Sequence, residues 1–441
     1  MNLISGMSPR VAYHTLGCKL NFAETSAIGK AMADRGFVRA AEGETPHICV
    51  VNTCSVTEMA DKKGRQLIRR LHRRWPRAAI VVTGCYAQLK PAEVSALPGV
   101  ELVVGNNDKM AVDVYIDRWL SDHRKLTDVL PAKEIREFAP SCEKGDRTRW
   151  WLKVQDGCDC WCTYCTIPMA RGRSRSGSIP ELVEQARHVA SAGGKEIVLT
   201  GVNVGDFGKG TPYGFIDLIK ALDEVEGIER YRISSIEPDL LTPEIIEWVA
   251  GGSRAFMPHF HIPLQSGSDA VLRLMRRRYP ASLFAERVRL VRSLMPDAFI
   301  GVDIMAGTRG ETPEEWEKGL DFVRGLDVQQ LHVFPYSERP GTRALTLDAV
   351  TVPQEEKHRR AAALIAESER KLSAFQQKAI GTVRPVLWEQ PHPGASLMHG
   401  FTDNYLRIET PLDEASVGKI TPTRIESRID GDTLGGSIIY E

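Results

Sequence analysis

The chain has 441 residues, 42% hydrophobic and 26% charged, with 57 Lys and Arg balancing 57 Asp and Glu. That length exceeds one ordinary core and implies about two to three domains, while zero net charge removes any global electrostatic case for a nucleic-acid partner. No segment nears the roughly 20 apolar residues that span a bilayer and no secretory signal opens the chain, so the reading is cytoplasmic.

After a short lead, the N-terminal third repeats one pattern three times. An apolar, β-prone run reaches a Thr and then a Cys: VAYHTLGC ends at Cys18, HICVVNTC at Cys54 and AAIVVTGC at Cys85. Helical periodicity fills the intervals, at Glu24 to Arg35 and Ala60 to Arg74. Such alternation predicts a doubly wound parallel sheet. Loops that follow parallel strands share one edge, so three cysteines remote in sequence are expected to meet there. Residues 62–77 carry Lys62, Lys63, Arg65, Arg69, Arg70, Arg73, Arg74 and Arg77 without an acid. Arg171, Arg173 and Arg175 form a second basic group, and Arg273, Arg276, Arg277 and Arg278 a third. One basic helix alone is ordinarily a solvated face; three runs in a neutral chain point to phosphate.

Residues 124–147 read as a polar connector. A second alternating series follows, with strands expected at Trp151 to Gln155, Glu196 to Thr200, Tyr231 to Ser235, His259 to Ile262, Phe299 to Ile304 and Val328 to Phe334. Amphipathic helices such as Glu181 to Ala192 and Ala281 to Leu294 separate them. About six βα units suit an open or partial barrel with chemistry at the C-terminal strand ends. A charged helix, Gln354 to Lys378, closes this unit. From Gly381 onward short apolar runs broken by Gly, Pro and Asp predict a small antiparallel β-barrel. The expected domains are 8–124, 144–376 and 378–441.

The nine cysteines are an odd number, which argues against a disulfide framework and for metal or redox chemistry. Cys158, Cys162 and Cys165 form C-x3-C-x2-C directly after a strand. Three thiolates on one short loop can hold three corners of a 4Fe–4S cluster and leave the fourth iron open. A zinc site wants four closed ligands, and no fourth partner lies nearby. Cys160, inside the same loop, would serve only in another spacing and is read as a bystander. Cys18, Cys54 and Cys85, with their shared strand–Thr–Cys placement, are read as a second 4Fe–4S site; Cys49, within its strand, fits a buried small hydrophobe.

The C-x3-C-x2-C loop, with Tyr164 before its last Cys and βα units behind it, resembles the radical-SAM superfamily. With the upstream triad it resembles the methylthiotransferases, through TLGCKLNFAET, NTCSVT, TGCYAQ, GCDCWCTYC, IPMARGRSRS, LTGVNVG and HIPLQSGS in order. TLGCKLN is similar to the branch acting on threonylcarbamoyladenosine in tRNA. The resemblance implies a radical-SAM partial (β/α)6 barrel and two 4Fe–4S clusters. The cluster on Cys158, Cys162 and Cys165 would cleave S-adenosylmethionine to a radical that takes hydrogen from adenine C2. The cluster on Cys18, Cys54 and Cys85 would carry the sulfur to be inserted, and a second S-adenosylmethionine would give the methyl group. An electron donor, a sulfur source and a tRNA anticodon stem-loop are the implied partners.

Polar residues at barrel strand ends are candidates to line the S-adenosylmethionine and substrate cavity: Thr200, Gly201, Asn203, Ser234, Glu237, Gln265, Ser266 and Asp303. Their ordinary alternative is to cap helices and satisfy turns. His259 and His261 read as core or supporting residues. Arg171, Arg173 and Arg175 are expected at the mouth, against RNA phosphates. Two departures stand out. Residues 378–441 hold six Lys and Arg against nine Asp and Glu, the wrong sign for phosphate, and Thr308-Arg309 replaces a common Phe-Pro. The rival substrates are isopentenyladenosine in tRNA and a ribosomal-protein aspartate. A non-catalytic iron–sulfur RNA-binding protein and a zinc protein are the rival classes.

Overall fold

The computed structural model describes residues 8–143 and 148–440. Residues 1–7, the lead to the first strand, 144–147, the end of the expected connector, and Glu441 lie outside them. The chain forms two compact units, each gathered from separate stretches. The first comprises Met1–Glu143, Lys153–Gly177 and Ser337–Leu345; the second comprises Lys144–Leu152, Ser178–Tyr336 and Thr346–Glu441.

The first unit holds a six-stranded parallel sheet, as its alternating sequence requires. In space the strands run Val38–Arg39, Arg10–Thr15, Ile48–Thr53, Ala79–Gly84, Val100–Val104 and Leu126–Asp128. ICVVNT and AIVVTG are buried at every residue, the pattern of strands covered on both faces. Alternate side chains serve opposite cores. Ile48 and Val50 pack with Ile28 and Met32 of helix Lys19–Asp34 and with Val112 and Ile116. Cys49 and Val51 pack with Leu67, Ile68 and Leu71 of helix Glu58–Arg74. That second helix begins where Thr57 accepts from the Ala60 N–H, with Glu58 and Asp61 in its first turn and His72, Arg73 and Arg74 in its last, the arrangement its dipole favours. The stretch read as a connector supplies the sixth strand: Leu126–Asp128 pairs with Leu102–Val104. Three residues, LTD, are too few to show an alternating signal.

Strand order matters for function. The first strand's chain continues to the edge strand Val38–Arg39 and then crosses back to Ile48–Thr53 on the other side. Arg10–Thr15 and Ile48–Thr53 therefore flank the point where winding reverses, and ligands of open α/β sheets bind outside the C-terminal strand ends at that point.

The second unit contains the partial barrel. Trp150–Lys153, Glu196–Thr200 and Arg230–Ile233 form one run, and His259–Gln265, Phe299–Ala306 and Gln330–Pro335 a parallel second. Single bridges, Tyr231 to Phe256 and Ser235 to His261, join the two. Helix Ala281–Leu294 matches its sequence pattern, and Gln354–Ala379 closes the series. Five strands between Val383 and Ile438 then close a barrel around Trp388, Met398, Ile408, Ile425 and Leu434. The expectation of a wholly antiparallel barrel needs one correction: Arg407–Pro411 and Thr433–Ile438 run parallel. A closed ring with an odd number of strands must contain such a pair. Arg230 and Arg232 fasten the barrel to the wall, donating to the Phe401, Pro385, Asp403 and Thr402 carbonyls, while Glu196 holds Arg232 at 2.8 Å.

Candidate functional site

The sheet edge brings the first cysteine set together. Thr15 pairs with Asn52 and Thr53 with Gly84, so the residues that follow these strands leave the sheet side by side. Cys18 caps helix Lys19–Asp34, Cys54 follows Thr53 directly, and Cys85 opens the short helix Cys85–Leu89. Gly17 sits at φ +102°, and a Cβ there would stand 2.5 Å from the Cys54 Cβ. Only glycine adopts that backbone without strain and lets the first loop close on the second. Cys54 and Cys85 are buried and Cys18 is exposed, and protein packed around Cys18 raises its pKa. Burial, reinforced by Cys85, pushes the Cys54 thiol up to about 12, and the Arg171 guanidinium pulls both thiols the other way.

The second set lies on a loop closed by a two-residue antiparallel ladder, Gln155–Asp156 against Arg175–Ser176. Gly157, at φ +71°, passes so near the returning strand that a Cβ would meet the Arg173 carbonyl oxygen at 2.0 Å. The Cys158 N–H donates to the Gly172 carbonyl at 3.1 Å. The Cys160 and Ile167 N–H groups point at the Cys158 and Cys165 sulfurs, each at 3.4 Å. Trp161, at φ +48°, is half exposed beside them. Cys49 is fully buried in its strand, its thiol pushed up to about 12 by burial.

None of the nine cysteines is joined in a disulfide. Among the described residues no three His, Cys, Asp or Glu converge on a single metal ion. A cubane cluster takes each thiolate on a different iron, so its cysteines stand further apart than the ligands of one ion. Soft, uncrosslinked thiols in sets of three fit that donor requirement.

The arginines after the second loop depart from expectation. Arg171 is buried: it donates to both carboxylate oxygens of Glu24 at 3.0 and 3.1 Å, to Asp156 at 2.8 Å and to the Asn21 side-chain oxygen at 2.7 Å. Arg175 is occupied by Asp156 at 3.0 Å and by the Glu137, Arg171 and Arg173 carbonyls. Neither is placed to meet an RNA phosphate, because their charges are consumed inside the protein; Arg173 is exposed. Asn21 and Glu24 lie within TLGCKLNFAET, but nothing in the sequence marked them or Asp156 as partners of Arg171, since each looks like an ordinary polar residue until its distant partner is known.

In the second unit the strand-end candidates cluster locally. Thr200 ends its strand buried, and Gly201 follows it, half-buried. Ser234 is buried one residue past Arg230–Ile233, and the buried Asn203 side-chain oxygen accepts from the Glu237 N–H at 3.4 Å. Burial pushes the Glu237 carboxyl up to about 7 against the pull of its partner Arg277. Gln265 ends its strand at φ +69°, a register irregularity that turns the chain into the buried Ser266. Asp303 pairs with His261 at 2.8 Å, and His261 stacks on His332, centroids 5.0 Å apart. His332 was missed in the sequence because it lies mid-strand. His259 packs among Phe299 and Tyr405, a core position. Thr308 is buried just past strand Phe299–Ala306.

Residues 10–105 match the uncharacterized protein family UPF0004, and residues 152–323 match the radical SAM superfamily. The threonylcarbamoyladenosine tRNA methylthiotransferase MtaB of Bacillus subtilis is 39% identical over 94% of this chain and 93% of its own length. The MtaB protein of Aquifex aeolicus is 34% identical over 91% and 96%. A tRNA-2-methylthio-N(6)-dimethylallyladenosine synthase from Pelotomaculum thermopropionicum is 30% identical over 93% of both. The fold is also that of the radical S-adenosylmethionine methyltransferase TsrM of Kitasatospora setae, at TM-score 0.54 and 16% identity over 75% of this chain and 77% of that one. The chain belongs to the radical-SAM methylthiotransferase family, on its MtaB branch. Enzymes of this type work with S-adenosylmethionine and two 4Fe–4S clusters. Among the described residues no helix is long and apolar enough to cross a membrane.

Proposed function

We propose that the chain inserts a methylthio group at C2 of N6-threonylcarbamoyladenosine beside the anticodon of a cytoplasmic tRNA. The observation that carries the reading is the 39% identity to the Bacillus MtaB protein along nearly the whole chain, against 30% to the dimethylallyladenosine enzyme of Pelotomaculum. Cys18, Cys54 and Cys85 hold one 4Fe–4S cluster, and Cys158, Cys162 and Cys165 hold the other. Three thiolates per cluster leave one iron of each open to a small ligand. When bound, the second cluster and S-adenosylmethionine supply radical chemistry that can remove hydrogen from adenine C2, a carbon with no useful acidity. The protein's part is to orient and to exclude water. Thr200, Gly201, Asn203, Ser234, Glu237, Gln265, Ser266 and Asp303 line the cavity, with His261 fixing the Asp303 carboxylate. Arg173 remains available for RNA phosphate. The domains are 8–124 for the first cluster, 144–376 for radical formation and 378–441 as the β-barrel. An electron donor and a sulfur source complete the cycle.

The test is mass spectrometry of tRNA nucleosides from cells with and without the chain. The methylthio form of threonylcarbamoyladenosine should vanish on deletion and return on re-expression; its persistence would sink the substrate assignment unless a second enzyme is found. The two sets separate by role. Ala at Cys158, Cys162 or Cys165 should abolish reductive S-adenosylmethionine cleavage. Ala at Cys18, Cys54 or Cys85 should leave most cleavage and stop methylthiolation.

A further inference from the structure

A set of buried polar groups in the first unit forms one connected network, and it touches the loops of both cysteine sets. Asn21, three residues after Cys18, donates to the Leu16 carbonyl at 2.8 Å and to the Thr53 carbonyl at 3.1 Å. It thereby clasps the segments leading into Cys18 and Cys54. Gln88, three residues after Cys85, accepts from the Asn106 N–H at 2.8 Å, and the Asn106 amide donates to the Ala170 carbonyl at 2.7 Å. Ala170 and Arg171 end the helix that follows Cys165. Arg171 then reaches Asn21 and Glu24 on one side and Asp156, two residues before Cys158, on the other. Lys109 and Lys153 also contact Glu24, at 2.5 and 3.0 Å, and Lys153 contacts Asp156 at 2.8 Å.

The charge count is unusual. Two carboxylates, Glu24 and Asp156, face four cations, Lys109, Lys153, Arg171 and Arg175, all with side chains at most 11% exposed. Burying ions is costly even when they are paired, and a surplus of buried positive charge costs more still unless something negative lies nearby. A 4Fe–4S cluster on three thiolates is a net anion. We propose that Arg171 is a positioning residue. It couples the Cys18–Cys54–Cys85 site to the Cys158–Cys162–Cys165 loop, and its guanidinium offsets the negative charge of the cluster on Cys18, Cys54 and Cys85. Its buried side chain acts through Asn21, Glu24 and Asp156; it holds the donor site in register with the radical site and tunes the donor cluster's reduction potential. The inference rests on the cluster assignment above.

The experiment compares reconstituted full-length wild type, Arg171→Gln, Arg171→Lys and Asn21→Ala. Iron and sulfide content, a potentiometric titration followed by electron paramagnetic resonance, and the ratio of methylthiolated product to S-adenosylmethionine cleaved are read on each. Arg171→Gln should move the potential of one cluster downward, because a nearby cation is lost. It should also lower the product-to-cleavage ratio at least tenfold while cleavage stays within about threefold. Arg171→Lys should restore the potential but not the ratio, since an ammonium keeps the charge and loses the fork. Asn21→Ala, which leaves no charge uncompensated, should lower the ratio without shifting the potential. If Arg171→Gln does not fold, Asn21→Ala and Arg171→Lys still carry the test. Unchanged potential and ratio across the folded variants would overturn the role of Arg171. A wild type with a single cluster would instead overturn the cluster assignment on which it rests.

Discussion

Glu24 is the residue on which three buried cations depend. Burial alone would raise its carboxyl pKa, but Arg171, then Lys109 and Lys153, hold it well below the carboxylate range. A folded pKa depressed in this way gives stability that is present above the unfolded value, about 4.3, and lost as pH falls further. Glu24→Gln should therefore cost about 3–5 kcal/mol at pH 7, the usual consequence of stranding buried charge. It should also flatten the stability profile below about pH 4.3. Urea denaturation across pH checks both; a variant that matches wild type at pH 7 would show that the cations find other partners. Glu24 and Arg171 could not be paired from sequence, because 147 residues separate them and Arg171 read instead as an RNA-phosphate contact. The placement of Cys18, Cys54 and Cys85 at one sheet edge was legible, since strand, Thr and Cys recur in one order; Cys158, Cys162 and Cys165 share one short loop by their spacing alone.

Helix Glu58–Arg74 divides its charge by face. Its apolar stripe of Leu67, Ile68 and Leu71 is committed to the sheet. Arg65 turns aside to Glu58 and Glu93. Lys62, Lys63, Arg69, Arg70, Arg73 and Arg74 are exposed. A groove of about 580 Å³ runs along this face, lined by Leu16, Lys63, Gln66, Leu67, Arg69, Arg70 and Arg73. Leu16 lies two residues before Cys18, so the basic face continues to the edge of the proposed sulfur-carrying site. The C-terminal barrel, with six basic against nine acidic residues from 378 onward, has the opposite balance. On the tRNA reading, Gln at positions 69, 70, 73 and 74 together should weaken binding and reduce the salt slope by up to about 4. The fold should be kept because the buried stripe is untouched. Equal affinity at every salt concentration would return the helix to a solvated face. Elements of this length were readable from periodicity; Leu126–Asp128 was not, because a three-residue edge strand has no period.

At the level of the whole molecule, sequence order and spatial grouping part company. Alternating strands and helices announced both α/β regions and the barrel, since each element carries its own pattern. The assignment of Ser337–Leu345 to the first unit had no local signal. It follows from Arg339, buried and bound to Ser55 at 2.8 Å, Asp61 at 2.7 Å and Glu58 at 3.0 Å. The Ala344 N–H also donates to the Thr163 carbonyl at 2.8 Å, inside the second cysteine loop. Arg339→Gln should remove one of the two cations on the buried Asp61, Lys90 remaining at 3.0 Å, and cost about 1–3 kcal/mol. It should also speed amide exchange at Ala344 in hydrogen-exchange mass spectrometry; unchanged exchange there would mean the segment is held by something other than this arginine.

The same arginine imposes a timetable on biosynthesis. Asp61 and Arg339 lie 278 residues apart, so at ribosomal speeds the acid, already paired with Lys90 at 3.0 Å, waits on the order of 15–55 s for this second cation to emerge. Until then the loop behind Cys54 lacks one of its anchors. A nascent chain stalled short of residue 339 therefore presents the first sheet without the arginine that closes over Ser55 and Asp61.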